Sequence, residues 1–255
     1  MEIVAIDYAF KVPQELAPGR TSFRLVNQGK MRHEFNVALL KPGATVQELN
    51  AVINARQPLA SIIEASVGVL FASPGEHSPS ALITELLPGR LYVVHCVLRD
   101  NRTAPQHDEL GMYTVIHVGP GKPAAAEPIV VDTIFAADYA YRYARALAPG
   151  THYFAFVNQG TQRHEVNIRL LKTSVTLEQL LKLPRSEPIR RYVDQTLGVL
   201  ASSGGKAPIG LLRFDLLPGR DYAFLCGFSD SAGAPLHYEL GMFGSIHVSG
   251  AAAPH

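Results

Sequence analysis

Val26-Asn27-Gln28-Gly29-Lys30-Met31-Arg32-His33-Glu34-Phe35-Asn36-Val37 returns 131 positions later as Val157-Asn158-Gln159-Gly160-Thr161-Gln162-Arg163-His164-Glu165-Val166-Asn167-Ile168. Further along, Leu86-Leu87-Pro88-Gly89-Arg90 recurs as Leu216-Leu217-Pro218-Gly219-Arg220, now at an offset of 130. Ala104-Pro105-Gln106-His107-Asp108-Glu109-Leu110-Gly111-Met112 recurs at the same offset as Ala234-Pro235-Leu236-His237-Tyr238-Glu239-Leu240-Gly241-Met242. One residue has therefore been lost from the second copy between positions 172 and 197. A period this long exceeds any solenoid or propeller unit, so each copy is read as a domain. The expected boundaries are 1–119 and 129–250, with residues 120–128, rich in Gly, Pro and Ala, as the linker.

Within each copy the apolar residues alternate. His33, Phe35, Val37 and Leu39 fall on one face and Glu34, Asn36 and Ala38 on the other. His164, Val166, Ile168 and Leu170 repeat the pattern. A period of two with one apolar side reads as a half-buried strand, and the histidine opens its inward row. Tyr92, Val94, Cys96 and Leu98 share a face, as do Tyr222, Phe224, Cys226 and Phe228, which puts each cysteine inward near a strand end. Pro-Gly pairs mark turns ahead of the apolar strands. Between the strands, Thr45-Val46-Gln47-Glu48 and Thr176-Leu177-Glu178-Gln179 are capping boxes that start short helices. The expected fold is all-β, two tandem β-sandwich domains, each with a short helical insertion.

Composition sets limits on function. Of the 255 residues 47% are apolar and 18% charged, and the net charge is +1 without any block of like charge, so no nucleic-acid footprint is present. No apolar run approaches the roughly 20 residues of a transmembrane helix, and no membrane span is expected. Met1 runs directly into an apolar strand pattern, so no signal peptide is read. Two cysteines, in equivalent positions of separate copies, exclude a disulfide framework.

The chemistry-bearing residues are duplicated too: His33, Cys96, His107 and Met112, then His164, Cys226, His237 and Met242. Two imidazoles, a thiol and a thioether are the ligand set of a blue copper site. Their order, an early His on a strand, a Cys at a strand end, then His-x₄-Met in the following loop, resembles the cupredoxin family over nearly the whole of each copy. That resemblance implies Greek-key sandwiches with one type 1 copper per domain, up to two in the chain. It implies His33, Cys96 and His107 as equatorial ligands with Met112 axial, and His164, Cys226 and His237 with Met242 axial. Electron transfer with a redox partner protein, in a periplasmic or extracellular setting, follows from it as an expectation. A copper carrier or buffer, and a metal-free interaction module, are the alternatives. Two departures stand out: ten residues separate each Cys from its following His, and Glu34 and Glu165 occupy the place after the first His where the family often has Asn.

Linked cupredoxin domains also build oxidases and nitrite reductases, which need additional histidines. The sequence has no His-x-His pair, and His95, which precedes Cys96, is matched by Leu225 in the second copy. The expectation is therefore a chain that is not an enzyme, with His95 on the outward face of its strand. Inward-facing, duplicated cysteines also disfavour a thiol-nucleophile enzyme. His117 and His247 are expected to bond a neighbouring strand, and His77 and His152 to lie at the surface.

Overall fold

The computed structural model describes residues 1–144 and 146–250. The chain divides into two compact units, Met1–Pro128 and Ile129–His255. The first contains β1 (Glu2–Ile6), β2 (Ala9–Lys11), β3 (Glu15–Leu16), β4 (Gly19–Asn27) and β5 (His33–Leu40). Helix α1 (Val46–Asn54) follows, then β6 (Ile63–Ala72), β7 (Ala81–Leu86), β8 (Leu91–His95) and β9 (Tyr113–Val118). One sheet of this unit runs β2-β1-β4-β7 and the other β6-β5-β8-β9-β3. The second unit contains β10 (Asp132–Ala137), β11 (Ala140–Arg142), β12 (Gly150–Asn158), β13 (His164–Leu171) and α2 (Leu177–Leu181). It closes with β14 (Val193–Ser202), β15 (Gly210–Leu216), β16 (Asp221–Leu225) and β17 (Phe243–His247). Its sheets run β11-β10-β12-β15 and β14-β13-β16-β17. Each unit is a two-sheet β-sandwich with a helical insertion.

The cores follow the alternation. In the first unit Ile3, Phe23, Leu25, Phe35, Val37 and Val94 have no exposed surface, and Phe35 packs against Phe23 at 5.4 Å between ring centroids. In the second, Phe154 stacks on Phe214 at 4.8 Å. The Leu-Pro-Gly turns are anchored from inside: Leu87 N–H donates to the Tyr92 hydroxyl (2.9 Å) and Leu217 N–H to that of Tyr222 (2.8 Å). Gly89 and Gly219 take φ of 70° and 71°, the left-handed value that a Pro-Gly turn requires of its third residue.

The His-bearing strand is more buried than its alternation suggests. Ala38 and Glu34, placed on the outer face by the pattern, are 3% and 5% exposed. Helix α1 explains Ala38: Leu49 and Ile53 pack with Ala38, Leu40, Val93 and Val115, covering the outer face of that sheet. Leu180 of α2 does the same over Leu171, Ala223 and Leu225. Both helices begin with the capping boxes read from sequence, Thr45 with Glu48 and Thr176 with Gln179. The missing residue of the second copy falls after α2, which stops at Leu181 ahead of Pro184, a residue that cannot continue a helix. No helix among the described residues is long and apolar enough to cross a membrane.

Candidate metal centres

Strand β5 starts at His33, and β8 ends at His95 so that Cys96 is the first residue beyond it. The loop after Cys96 returns through paired backbone bonds: His107 N–H to Leu98 O (2.9 Å) and Asp108 N–H to Cys96 O (2.8 Å). Those bonds hold the ten-residue excursion closed, so its length does not carry His107 away from the cysteine. The ligand atoms of His33, Cys96 and His107 all lie within 4.8 Å of one another, and those of His164, Cys226 and His237 do likewise. Cys96 Sγ is 3.4 Å from His107 Nδ1, and Cys226 Sγ is 3.4 Å from His237 Nδ1 and 3.9 Å from His164 Nδ1. All six side chains are at most 1% exposed.

Met112 and Met242 are fully buried. Met112 N–H donates to His107 O (2.8 Å), and its carbonyl accepts from Cys96 N–H (3.2 Å). Met242 repeats both bonds with His237 (2.9 Å) and Cys226 (3.2 Å). The backbone thus ties each methionine to the cysteine and the second histidine.

The residue after the first histidine has a defined task. Glu34 Oε1 accepts from Val97 N–H (3.1 Å), and Glu165 Oε1 accepts from Gly227 N–H (3.1 Å). Their own amides donate to the thiol sulfurs, Glu34 N–H to Cys96 Sγ (3.4 Å) and Glu165 N–H to Cys226 Sγ (3.5 Å). Each glutamate therefore staples the chain just past the cysteine to the strand carrying the histidine. Burial pushes the Glu34 carboxyl up from its ordinary range. Burial likewise pushes the thiols up, Cys96 to about 12 and Cys226 to about 11.

Four aspartates and two tyrosines complete the sites. Asp7 Oδ1 accepts from His33 Nε2 (3.4 Å) and Asp100 Oδ1 from His107 Nε2 (2.9 Å). Asp138 Oδ1 accepts from His164 Nε2 (3.2 Å) and Asp230 Oδ1 from His237 Nε2 (3.0 Å). The tyrosine after the first aspartate of each pair bonds the second: Tyr8 to Asp100 (2.7 Å) and Tyr139 to Asp230 (2.6 Å). These residues were not singled out from the sequence, yet the repeat carries them, since Asp7-Tyr8 and Asp138-Tyr139 are 131 apart and Asp100 and Asp230 are 130 apart.

The Asn-x-Gly motif serves the same region. Asn27 Nδ2 donates to the carbonyls of Met31 (2.7 Å) and Ala72 (3.0 Å), and its Oδ1 accepts from Gly29 N–H (2.9 Å). Asn158 makes the equivalent three bonds to Gln162, Ser202 and Gly160. A Cβ at Gly29 would fall on Asp7 Oδ1, and one at Gly160 on Asp138 Oδ1, so glycine is the residue that leaves room for the carboxylates.

The donor set fits a copper ion. A carboxylate can only accept, so each Nε2 donates to its aspartate and Nδ1 is the ring atom left for a metal. Burial pushes His33 and His164 below their ordinary value, keeping those rings neutral. His33 Nδ1 is buried without a hydrogen-bond partner. His164 Nδ1 and His237 Nδ1 face each other at 3.0 Å. A buried lone pair without a donor, as at His33 Nδ1, is costly, and a cation of intermediate softness held by the two imidazoles and the thiol would compensate it.

His95 takes the outward face of β8, the side of Val93 that α1 packs over, and is 6% exposed there, with Nδ1 3.1 Å from Asp108 Oδ2. The Cys96–His107 loop and α1 border an open pocket of about 510 Å³ on this side of the sheet, lined by His95, Ile53, Arg99 and Asp108 among others. His247 bonds Asp221 on the neighbouring strand β16 (2.8 Å). His77 is exposed beside Glu2. His152 is more enclosed than a surface residue, bonding Asp132 (2.7 Å) and Ala148 O (2.8 Å).

No protein-family model and no curated protein matches the chain. Solved structures do. Reduced auracyanin from Roseiflexus castenholzii is 16% identical, covering 47% of this chain and 95% of its own, with a TM-score of 0.31. Copper nitrite reductase from Nitrosomonas europaea is 17% identical, covering 97% of this chain and 90% of its own, with a TM-score of 0.28. A multicopper oxidase is 16% identical over 98% of this chain and 88% of its own, with a TM-score of 0.27. The expectation that the chain is not an enzyme does not stand, because these nearly full-length matches are to enzymes. It rests on the missing His-x-His pairs, on Leu225 standing where the first copy has His95 and on the inward cysteines, and absent motifs of this kind do not exclude an enzyme. The chain is similar to auracyanins over slightly less than half its length and to copper enzymes over nearly all of it.

Proposed function

We propose that each domain holds one type 1 copper and that the chain passes single electrons to and from a redox partner protein. The ligands are His33, Cys96 and His107 with Met112 axial, and His164, Cys226 and His237 with Met242 axial. The observation that carries this reading is the doubled convergence of one nitrogen from each of two histidines and one Sγ within 4.8 Å in a buried site. Bound there, copper supplies a one-electron couple whose potential depends on the axial group and on the bonding around the cysteine sulfur.

The chain's own residues do the rest. The glutamate staple and the Met–Cys and Met–His backbone bonds fix the donors on two strands and a closed loop. Rigid donors change little between oxidation states, which keeps the reorganisation that accompanies electron transfer small. Amide donation to the sulfur, from Glu34 and Glu165, stabilises the thiolate in a buried setting. Greek-key connectivity and a periplasmic or extracellular setting belong to the same reading and rest on the resemblance to cupredoxins.

Voltammetry of the copper-loaded chain tests the electron-transfer role against simple copper carriage. The expected result is a reversible one-electron wave per copper with fast electron self-exchange, and copper retained through repeated cycles. Loss of copper on each reduction, or a wave that is irreversible at every scan rate, would favour a carrier and contradict the proposal.

A further inference from the structure

The turn between β1 and β2 is two residues long, Asp7-Tyr8, with Ile6 paired to Ala9 across it. Tyr8 takes φ of 62°, and its counterpart Tyr139, in the turn Asp138-Tyr139, takes 63°. For a bulky side chain this left-handed conformation is strained, where Gly would sit without strain and Asn with less. A strained residue kept in both copies points to a task. The task is visible in the contacts: the turn sets its aspartate on the first histidine, its tyrosine ring edge-on to the second (5.3 and 5.2 Å between centroids), and its hydroxyl on the aspartate bonded to that second histidine. Asp7 Oδ1 is itself fixed by the amides of Lys30 (2.8 Å) and Met31 (3.2 Å), and Asp138 Oδ1 by those of Thr161 (2.9 Å) and Gln162 (3.3 Å).

We propose that Asp7, Tyr8 and Asp100, and likewise Asp138, Tyr139 and Asp230, form a carboxylate clamp that holds both histidines of each site Nε2-protonated and biases the site toward the more highly charged, oxidised metal. The inference rests on the copper reading above. These are positioning residues: they touch the ligands and not the ion. Four features argue for the clamp over incidental surface bonding. All four Nε2 atoms are served, each by a different carboxylate; the same atoms are used in both copies; the backbone is strained to place them; and glycine is required at 29 and 160 to admit them. A histidine that donates its second nitrogen to a carboxylate is fixed in tautomer and orientation and becomes a more basic ligand. Two negative charges beside the imidazoles also favour a dipositive ion over a monopositive one.

The test has two parts. First, proton–nitrogen NMR of the metal-free chain reads the tautomers directly and requires no metal: His33, His107, His164 and His237 are expected Nε2-protonated. Second, Asp7→Asn/Asp100→Asn is made in a Cys226→Ser chain, so that only the first site gives the thiolate–copper band. Asparagine keeps an acceptor oxygen and the shape of the turn but removes the charge. The band is expected to persist while binding of Cu(II) relative to Cu(I) falls about tenfold, which for a one-electron couple is a rise of about 59 mV in potential. Nδ1-protonated rings in the metal-free chain, or a persisting band with an unchanged potential, would overturn the clamp and leave the copper reading intact. A parent chain that takes up no copper would overturn the copper reading itself, and the redox bias with it.

Discussion

Changing Cys96 and Cys226 together to serine is expected to abolish the intense thiolate–copper absorption that the proposed sites would give and to lower copper affinity by orders of magnitude, while the fold remains. Serine is nearly isosteric and its hydroxyl can accept from the Glu34 and Glu165 amides that now reach the sulfurs. What is lost is the soft anionic donor, on which selection of copper at a His₂Cys site depends. Each single variant removes half of the absorption, because the two sites are built from separate sets of residues. Optical and EPR titration of the three variants against the parent chain checks this. A band of full intensity in either single variant would show that one domain carries all of it.

The second large effect is on stability. Asn27→Ala destabilises the first domain by about 3 kcal/mol, since it strips partners from the Met31 and Ala72 carbonyls and the Gly29 amide at a position only 1% exposed. Leaving a buried polar group unsatisfied costs on the order of 1–3 kcal/mol, and some of these three regain water. The effect extends to the metal: the loop from Gln28 to Arg32 carries the amides that hold Asp7 and leads directly into His33. Chemical denaturation and copper affinity of Asn27→Ala should therefore fall together, and Asn158→Ala should repeat the result in the second domain. Unchanged copper affinity in a destabilised Asn27→Ala chain would separate the loop from the site.

These two effects also mark what the sequence makes legible. The duplication is legible as identity at a fixed offset; the inward row from His33 and the strand-end position of Cys96 are local patterns of period two, and the sandwich realises them. The capping boxes at Thr45 and Thr176 are legible because a cap is satisfied within four residues. Burial of Ala38 was not legible, because it depends on a helix from elsewhere in the chain lying over the sheet. His95 is covered for a similar reason, by the very loop whose length had made the site's geometry open. Glu34 reads as a departure from family pattern until its carboxylate is seen on the Val97 amide, a contact across 63 residues. The aspartates that bond the histidines come from a turn and a loop, where periodicity carries no information, and only their recurrence in both copies could have marked them.

The most direct test of the account is to count coppers. The metal-free chain, titrated with Cu(II) under optical and EPR observation, should take up two equivalents, each adding an equal share of one thiolate–copper band and of a signal with the small copper hyperfine splitting of a His₂Cys site. Saturation without any thiolate-derived band, or no stoichiometric uptake at all, would contradict the assignment of His33, Cys96, His107 and His164, Cys226, His237 as type 1 copper ligands.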